Sequence, residues 1–193
     1  MHRLSTSFVL GYHGCSQVVA TALLSGKPFK ASDNQYDWLG PGIYFWQSNP
    51  RRALQFAREK KQRERAQWDP AVVGAVVELG LCLDLTTEAG VDGVPAAHQT
   101  LVELATSAGD PLPTNSRGED LLLRKLDCAV IRVLHDIRDK ADLSTFDTVV
   151  GIFQEGAPIY DGSGFRSKTH IQISVRNTTV IKGVFQVHDP ENA

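Results

Sequence analysis

Three short segments, far apart in the chain, carry the side chains best suited to bind a ligand. Residues 11–15 read Gly-Tyr-His-Gly-Cys, residues 40–45 read Gly-Pro-Gly-Ile-Tyr-Phe, and residues 169–175 read Thr-His-Ile-Gln-Ile-Ser-Val. An imidazole can exchange a proton near neutral pH, a tyrosine ring can stack on a flat ligand, and glycine permits close approach of the backbone. These segments are therefore the candidates for a functional site.

The third segment alternates polar and apolar residues, as a strand with two different faces does. Side chains two residues apart on a strand point to the same side. We therefore expect His170, Gln172 and Ser174 to line one surface, while the apolar residues between them pack into the core.

Secondary-structure signals flank each segment. Residues 8–12 are predicted as a buried strand that ends at His13-Gly14, and a helix over 15–25 follows and stops at Gly26. Residues 43–46 form the next strand, and Asn49-Pro50 begins a helix that runs to about residue 67. Further strands are predicted over 71–85 (broken near Gly80), 148–153, 169–175 and 179–187, with helices over 95–108 and 119–138. This order predicts one α+β domain over residues 1–193, with a polar tail over 188–193.

Composition and charge are those of an ordinary globular protein. The 193 residues are 42% hydrophobic and 22% charged, with a net charge of −2. The charge is unevenly spread, because residues 51–66 hold seven bases and two acids, a local +5, which leaves −7 for the rest. This basic helix is either a solvated face or a surface that attracts an anionic partner, such as a pyrophosphate, a nucleic acid or an acidic protein.

Other classes of site are disfavoured. The three cysteines are widely spaced and form no Cys-x-x-Cys pair, which favours reduced thiols in a cytoplasmic protein over a disulfide framework or a zinc site. The sequence has no His-Glu-x-x-His and no Gly-x-Ser-x-Gly. No apolar run approaches the ~18–20 residues of a membrane helix, and residues 1–8 lack the apolar stretch of a signal peptide. No metal and no membrane partner is expected.

In order and residue type, the three segments resemble the ADP-ribosyltransferase superfamily, on its diphtheria-toxin and poly(ADP-ribose) polymerase branch. That branch has His-Gly on its first core strand, Gly-x-Gly-x-Tyr-Phe on the next, and a glutamate on a late strand. Here His13-Gly14 and residues 40–45 match the first two motifs, and Gln172 takes the place of the glutamate, as in similar small bacterial domains. The resemblance implies a split pair of antiparallel sheets around a cleft, with flanking helices.

The resemblance also implies that NAD is the substrate and that His13, Tyr44 and Gln172 are the catalytic residues. The backbone of Gly14 would hold the nicotinamide carboxamide, and Tyr44 and Phe56 would stack on its ring. His13 would bind the adenosine ribose and Ser48 the other ribose. The full implied cofactor-binding set is Tyr12, His13, Gly14, Gly42, Tyr44, Phe45, Ser48, Phe56 and His170. As an alternative, Tyr44, Phe45, Phe56 and Gln172 are ordinary residues of a core.

The glutamine at position 172 changes the expected chemistry. Transfer from NAD passes through an oxocarbenium-like transition state, as in glycoside hydrolysis. Gln172 can accept a hydrogen bond from the ribose but adds no negative charge, and the loss of one charge-stabilising group costs ~10²–10³ in rate. We therefore expect the transfer of a single ADP-ribose rather than the elongation of a poly(ADP-ribose) chain. Glu155, Asp161 and Glu119 are candidates for a substitute acid.

The acceptor side of the reaction is assigned to the loop over 155–168. By resemblance this loop faces the acceptor, through Glu155, Tyr160, Asp161, Phe165 and Arg166. The acceptor is a protein or a nucleic acid, and a bacterial toxin or defence effector, with an antitoxin or immunity protein as partner, fits such a chain. The alternatives are a non-catalytic module that binds a nucleotide or a partner, and an NAD glycohydrolase with water as acceptor.

Overall fold

The computed structural model describes residues 8–191, so the expectations about residues 1–7 and the last two residues of the polar tail lie outside it. The strands are β1 (Phe8–Ser16), β2 (Ile43–Gln47), β3 (Pro70–Glu78), β4 (Cys82–Asp84), β5 (Asn115–Ser116), β6 (Leu123–Arg124), β7 (Thr148–Phe153), β8 (His170–Val175) and β9 (Ile181–Gln186). The α-helices are α1 (Gln17–Leu24), α2 (Pro50–Glu64), α3 (Glu88–Val91), α4 (Val94–Ala108) and α5 (Lys125–Lys140). The expected α+β class is confirmed.

Seven of the strands form one hydrogen-bonded sheet in the order β4-β7-β8-β2-β1-β3-β9, and β5 and β6 form a separate pair. Neighbours in the large sheet are antiparallel except β4 and β7, which run parallel. β1 pairs with β3 along its whole length but meets β2 only at Gly11–Gln47 and Tyr12–Trp46. The sheet therefore has a narrow seam between β1 and β2.

Two predicted boundaries are wrong. β1 does not end at His13-Gly14 but continues to Ser16, because β3 pairs with it as far as Ser16–Pro70. The helix predicted to begin at residue 119 begins at Lys125, because Leu121 has a positive φ angle that no α-helix contains and Leu123–Arg124 form β6.

The other boundaries agree with prediction within a few residues. α1 is shorter than the predicted 15–25, and the side chain of Ser16 caps it. α2 begins at Pro50 after the Asn49 cap, as predicted, but ends at Glu64. The break near Gly80 is confirmed by a positive φ there. The strand over 148–153 is confirmed as β7, and the helix and strands predicted over 95–108, 169–175 and 179–187 are confirmed as α4, β8 and β9.

Both faces of the large sheet are buried around β8. On one side, Trp38, Leu39, Val149 and Phe153 pack with apolar residues of α4 and α5. On the other side lies a cluster that includes Phe45 and Ile173. The predicted alternation along β8 is present, but its polar face is covered as well. Among residues 8–191, no helix combines the length and the apolar character needed to span a bilayer.

α2 lies directly on β1 at Gly14. A Cβ atom built at this position would lie 2.0 Å from the carbonyl oxygen of Ala53, a backbone atom of α2. Glycine is therefore required here by the packing of the helix on the strand.

Gly14→Ala should lower the free energy of unfolding by about 3 kcal/mol, because the helix backbone must move to admit the methyl group. Urea denaturation of the two proteins measures this. Gly183→Ala is the matched control, since a Cβ at Gly183 of β9 meets nothing within 4 Å. Equal stabilities of the two variants would contradict the close approach of α2.

Candidate functional site

The topology brings the three segments together on adjacent strands. β2 lies between β1, which carries His13, and β8, which carries Gln172. Tyr44 pairs with Ser174 and Trp46 with Gln172 across the β2–β8 ladder. Residues more than 120 positions apart in the sequence are thus neighbours in the sheet.

His13 spans the seam between β1 and β2. Its Nδ1–H donates to the carbonyl oxygen of Tyr44 at 2.9 Å, and its ring packs against Phe29 and Phe45 at centroid distances of 5.5 and 5.8 Å. A carbonyl can only accept, so Nδ1 carries the proton and Nε2 is left as an acceptor. Burial lowers the pKa of His13, which keeps the imidazole neutral at pH 7.

Tyr44 lies on the other side of the sheet from the His13 ring. Side chains alternate along β2, so Tyr44 and Trp46 face opposite to Phe45, which contacts His13. The Tyr44 hydroxyl donates to the Gly40 carbonyl at 2.8 Å and accepts from the Leu39 N–H at 3.0 Å. Burial raises its pKa well above the usual range. His13 and Tyr44 therefore meet through the Tyr44 backbone, and the phenol is tied to the turn before β2.

Gln172 is held by a residue that the sequence did not single out. The Trp38 Nε1–H donates to Gln172 Oε1 at 2.6 Å. The Trp38 ring lies over Gly151 of β7, where a Cβ would come within 2.6 Å of it. An indole N–H can only donate, so the amide orientation is fixed and its NH₂ group lies on the side away from Trp38. The sequence offered one signal for this contact, which is that Trp38 is an aromatic residue just before the Gly40 turn.

The remaining cofactor-binding candidates have packing roles. Phe56 packs against Trp46 at 4.7 Å, and within residues 8–191 no ring contact joins it to Tyr44. Tyr12 makes an edge contact with Phe185 at 6.2 Å. Phe45 is fully buried. A Cβ at Gly42 would lie 2.3 Å from Ser174 Oγ. Ser48 is exposed at the turn before α2, with a positive φ and an N–H that donates to Leu10.

His170 is buried on the same face as Gln172. Its Nδ1–H donates to the Lys168 carbonyl at 2.6 Å, and its ring stacks on Phe153 at 5.6 Å with an interplanar angle of 11°. Burial lowers the pKa of this imidazole, although the hydrogen bond to Lys168 opposes the shift. His170 is therefore neutral at pH 7, with Nε2 unprotonated.

Four alternating charges fasten α2 to the base of the 155–168 loop. Arg52 Nη2 lies 2.7 Å from Glu155 and 3.4 Å from Glu59, and Lys168 Nζ lies 2.9 Å from Glu59 and 3.8 Å from Glu155. Burial alone would raise the pKa of Glu59, but the hydrogen bond from Lys168 and the charge of Arg52 outweigh it, and the net shift is downward. The sequence predicts that Arg52 lies among the bases of a helix surface, but in the structure this side chain is buried.

The substitute acids differ in position. Glu155 is buried beside the face that carries His170, but its carboxylate is engaged by Arg52 and Lys168. Asp161 and Glu119 are exposed. Glu155 is therefore the one carboxylate of these three that is buried beside the β8 face, and two cations already neutralise its charge.

The tip of the 155–168 loop is apolar and open to solvent. Ile159, Tyr160 and Phe165 are all more than half exposed, Phe165 at 68%. Arg166 donates to the Gly156 carbonyl and lies 3.6 Å from Asp120, which ties the loop to the turn before β6. The loop thus has a fastened base and an exposed tip.

Arg52→Met should lower the free energy of unfolding by about 3 kcal/mol, because it leaves the buried Glu155 carboxylate with only the more distant Lys168. Chemical denaturation at neutral pH measures the loss. The control is Arg58→Met on the same helix, whose exposed pair with Glu191 should be worth no more than about 1 kcal/mol. A loss no larger than that of the control would show that Lys168 alone compensates Glu155.

No family model, curated protein or solved structure matches this chain. Within the described part of the chain, no group of three or more His, Cys, Asp or Glu side chains is arranged to hold a metal ion.

Proposed function

We propose that this protein is an NAD-dependent mono-ADP-ribosyltransferase-like enzyme, which cleaves the bond between nicotinamide and ribose and transfers ADP-ribose to a macromolecule. The observation that carries the proposal is the adjacency of β8, β2 and β1, with the 2.9 Å hydrogen bond from His13 to the Tyr44 backbone. The three segments that resemble the superfamily's motifs thus form one region. The resemblance implies two split sheets, whereas the seven strands form one sheet, and β1 and β2 are joined in it by two residue pairs.

In this proposal, NAD is bound and oriented at the seam between β1 and β2, with His13 on one face of the sheet and Tyr44 and Gln172 on the other, and the tip of the 155–168 loop faces the acceptor. The neutral His13 has a free acceptor at Nε2 for a ribose hydroxyl. The Gln172 amide adds hydrogen bonds but no charge, which favours slow transfer of a single ADP-ribose. Among the predicted acceptor contacts, Tyr160, Asp161 and Phe165 are exposed on the loop, whereas Arg166 is half-buried and already engaged by the Gly156 carbonyl and Asp120.

The second candidate is a non-catalytic nucleotide-binding module. It is favoured by the engagement of two groups: the Tyr44 hydroxyl by Leu39 and Gly40, and the Gln172 oxygen by Trp38. In this case NAD or a related nucleotide binds and is released unchanged. NAD hydrolysis, with water as acceptor, uses the same residues as transfer and differs only in product.

Nicotinamide release from NAD, with and without added cell lysate, tests the proposed enzyme. His13→Leu removes both ring nitrogens and Tyr44→Ala removes the ring, so each should lower release by ~10² or more. His98→Leu and Tyr36→Ala alter exposed residues elsewhere and should leave the rate unchanged. NAD binding by calorimetry without release under either condition would select the nucleotide-binding module, and no binding would reject both.

Gln172→Glu should raise the rate of nicotinamide release by ~10²–10³, because one oxygen keeps the hydrogen bond from Trp38 and the charge stabilises the oxocarbenium-like transition state. Initial rates at saturating NAD measure the gain. Gln172→Leu is the control and should lose activity. A rate unchanged by both substitutions would show that the reacting ribose lies away from position 172.

A further inference from the structure

A stripe of cations lies on the outer face of α2. Arg58 and Lys61 lie one turn apart on α2, and Arg65 follows directly as the left-handed residue that ends the helix. They line a surface groove of about 490 Å³ between the end of α2 and the turn that leads into β3. The lining of this groove contains no carboxylate.

The stripe is largely free of internal partners. Within residues 8–191, no ion pair joins Lys61 or Arg65 to a carboxylate, and Lys60 pairs with Glu64. Arg58 lies 2.5 Å from Glu191, and both of these side chains are about half exposed. Exposed pairs of this kind are weak. The charges of Lys61 and Arg65 are therefore available to an outside partner, and so is that of Arg58 once its weak exposed pair with Glu191 opens.

The spacing of the cations fits phosphates on a nucleic-acid strand. At a rise of 1.5 Å per residue, the stripe extends for about 10 Å along the helix. The phosphates of one strand of a duplex rise about 3.4 Å each along its axis, so about three fall within this reach when α2 is aligned with that axis. Gln62 and Gln67 also line the groove, and amide groups are common donors to phosphate oxygens.

The groove fits an acidic protein less well. Protein interfaces depend on a few buried aromatic or aliphatic anchors that enter well-packed pockets. The residues that line this groove include no aromatic side chain and no large aliphatic one, since Ala66 and Pro70 are its only apolar residues. We propose that Arg58, Lys61 and Arg65 form a nucleic-acid-binding surface that contacts the phosphate backbone without reading base sequence. This binding is independent of NAD chemistry.

Fluorescence anisotropy with a labelled duplex oligonucleotide, at salt between about 50 and 200 mM, tests the proposal. The wild-type protein should bind duplexes of different sequence equally, with an affinity that falls with salt at a log–log slope of about −2.7 for three phosphate contacts. The triple variant Arg58→Gln, Lys61→Gln and Arg65→Gln should lose most of this slope and bind at least about tenfold more weakly.

Two further variants sharpen the test. Changing Lys27, Lys30 and Lys140 to Gln removes three exposed bases elsewhere and should leave binding unchanged. Glu191→Gln frees Arg58 and should tighten binding. Circular dichroism checks that each variant is folded. The proposal is overturned if the duplex does not bind, if the stripe variant binds like wild type, or if polyglutamate competes as well as the duplex at equal charge. No NAD is present, so each outcome leaves the proposed enzyme to be judged separately.

Discussion

The close approach of α2 to β1 at Gly14 is the constraint on which the rest of the site depends. Because the Ala53 carbonyl lies against this glycine, the side of α2 that carries Ala53 must face β1. Ala53 and Ala57 are fully buried on that side, and Arg52 reaches the base of the 155–168 loop. Arg58 is exposed on the same helix. The backbone contact at Gly14 therefore helps to decide which basic residues of α2 lie inside the protein and which face solvent.

The buried charges around Arg52 act mainly by fixing the position of the 155–168 loop on α2, and less by adding to the stability of the protein. Moving ions out of water costs free energy that their attraction often fails to recover, whereas removing one partner is strongly destabilising. Here two cations and two anions alternate, so the cluster is neutral as a whole. The arrangement admits one placement of the loop base on the helix, and misplacement would leave an unpaired charge inside the protein.

The local features of the fold could be predicted from the sequence, and the long-range ones could not. Asn49-Pro50 and the break at Gly80 depend on the conformations of nearby residues and are confirmed. The end of β1 was wrong because its extent is decided by β3, some 60 residues away. Within the site, the alternation along β8 was readable. The hydrogen bond from Trp38 to Gln172 joins positions 134 residues apart, and no local sequence pattern predicts such a contact.

The electrostatic prediction for α2 failed at one position for a related reason. A run of bases in a helix normally forms a solvated face, and most of this run does. Arg52 is the exception, because its partner Glu155 lies 103 residues further along the chain. Arg52, Phe56 and Glu59 repeat at i, i+4 and i+7, so they share a second, partly buried side of the helix.

The position of β8 within the sheet has a consequence for how the chain folds during synthesis. β8 lies between β2 and β7, but it comes from the last quarter of the sequence. The pairing of β2 with β8 closes a long loop of the chain. Closing such a loop is entropically costly, so pairings of this kind form late. During synthesis on the ribosome, β2 and β7 therefore cannot pair with β8 until residues 170–175 have been made. The candidate site is therefore assembled only after the strand that carries Gln172 has left the ribosome.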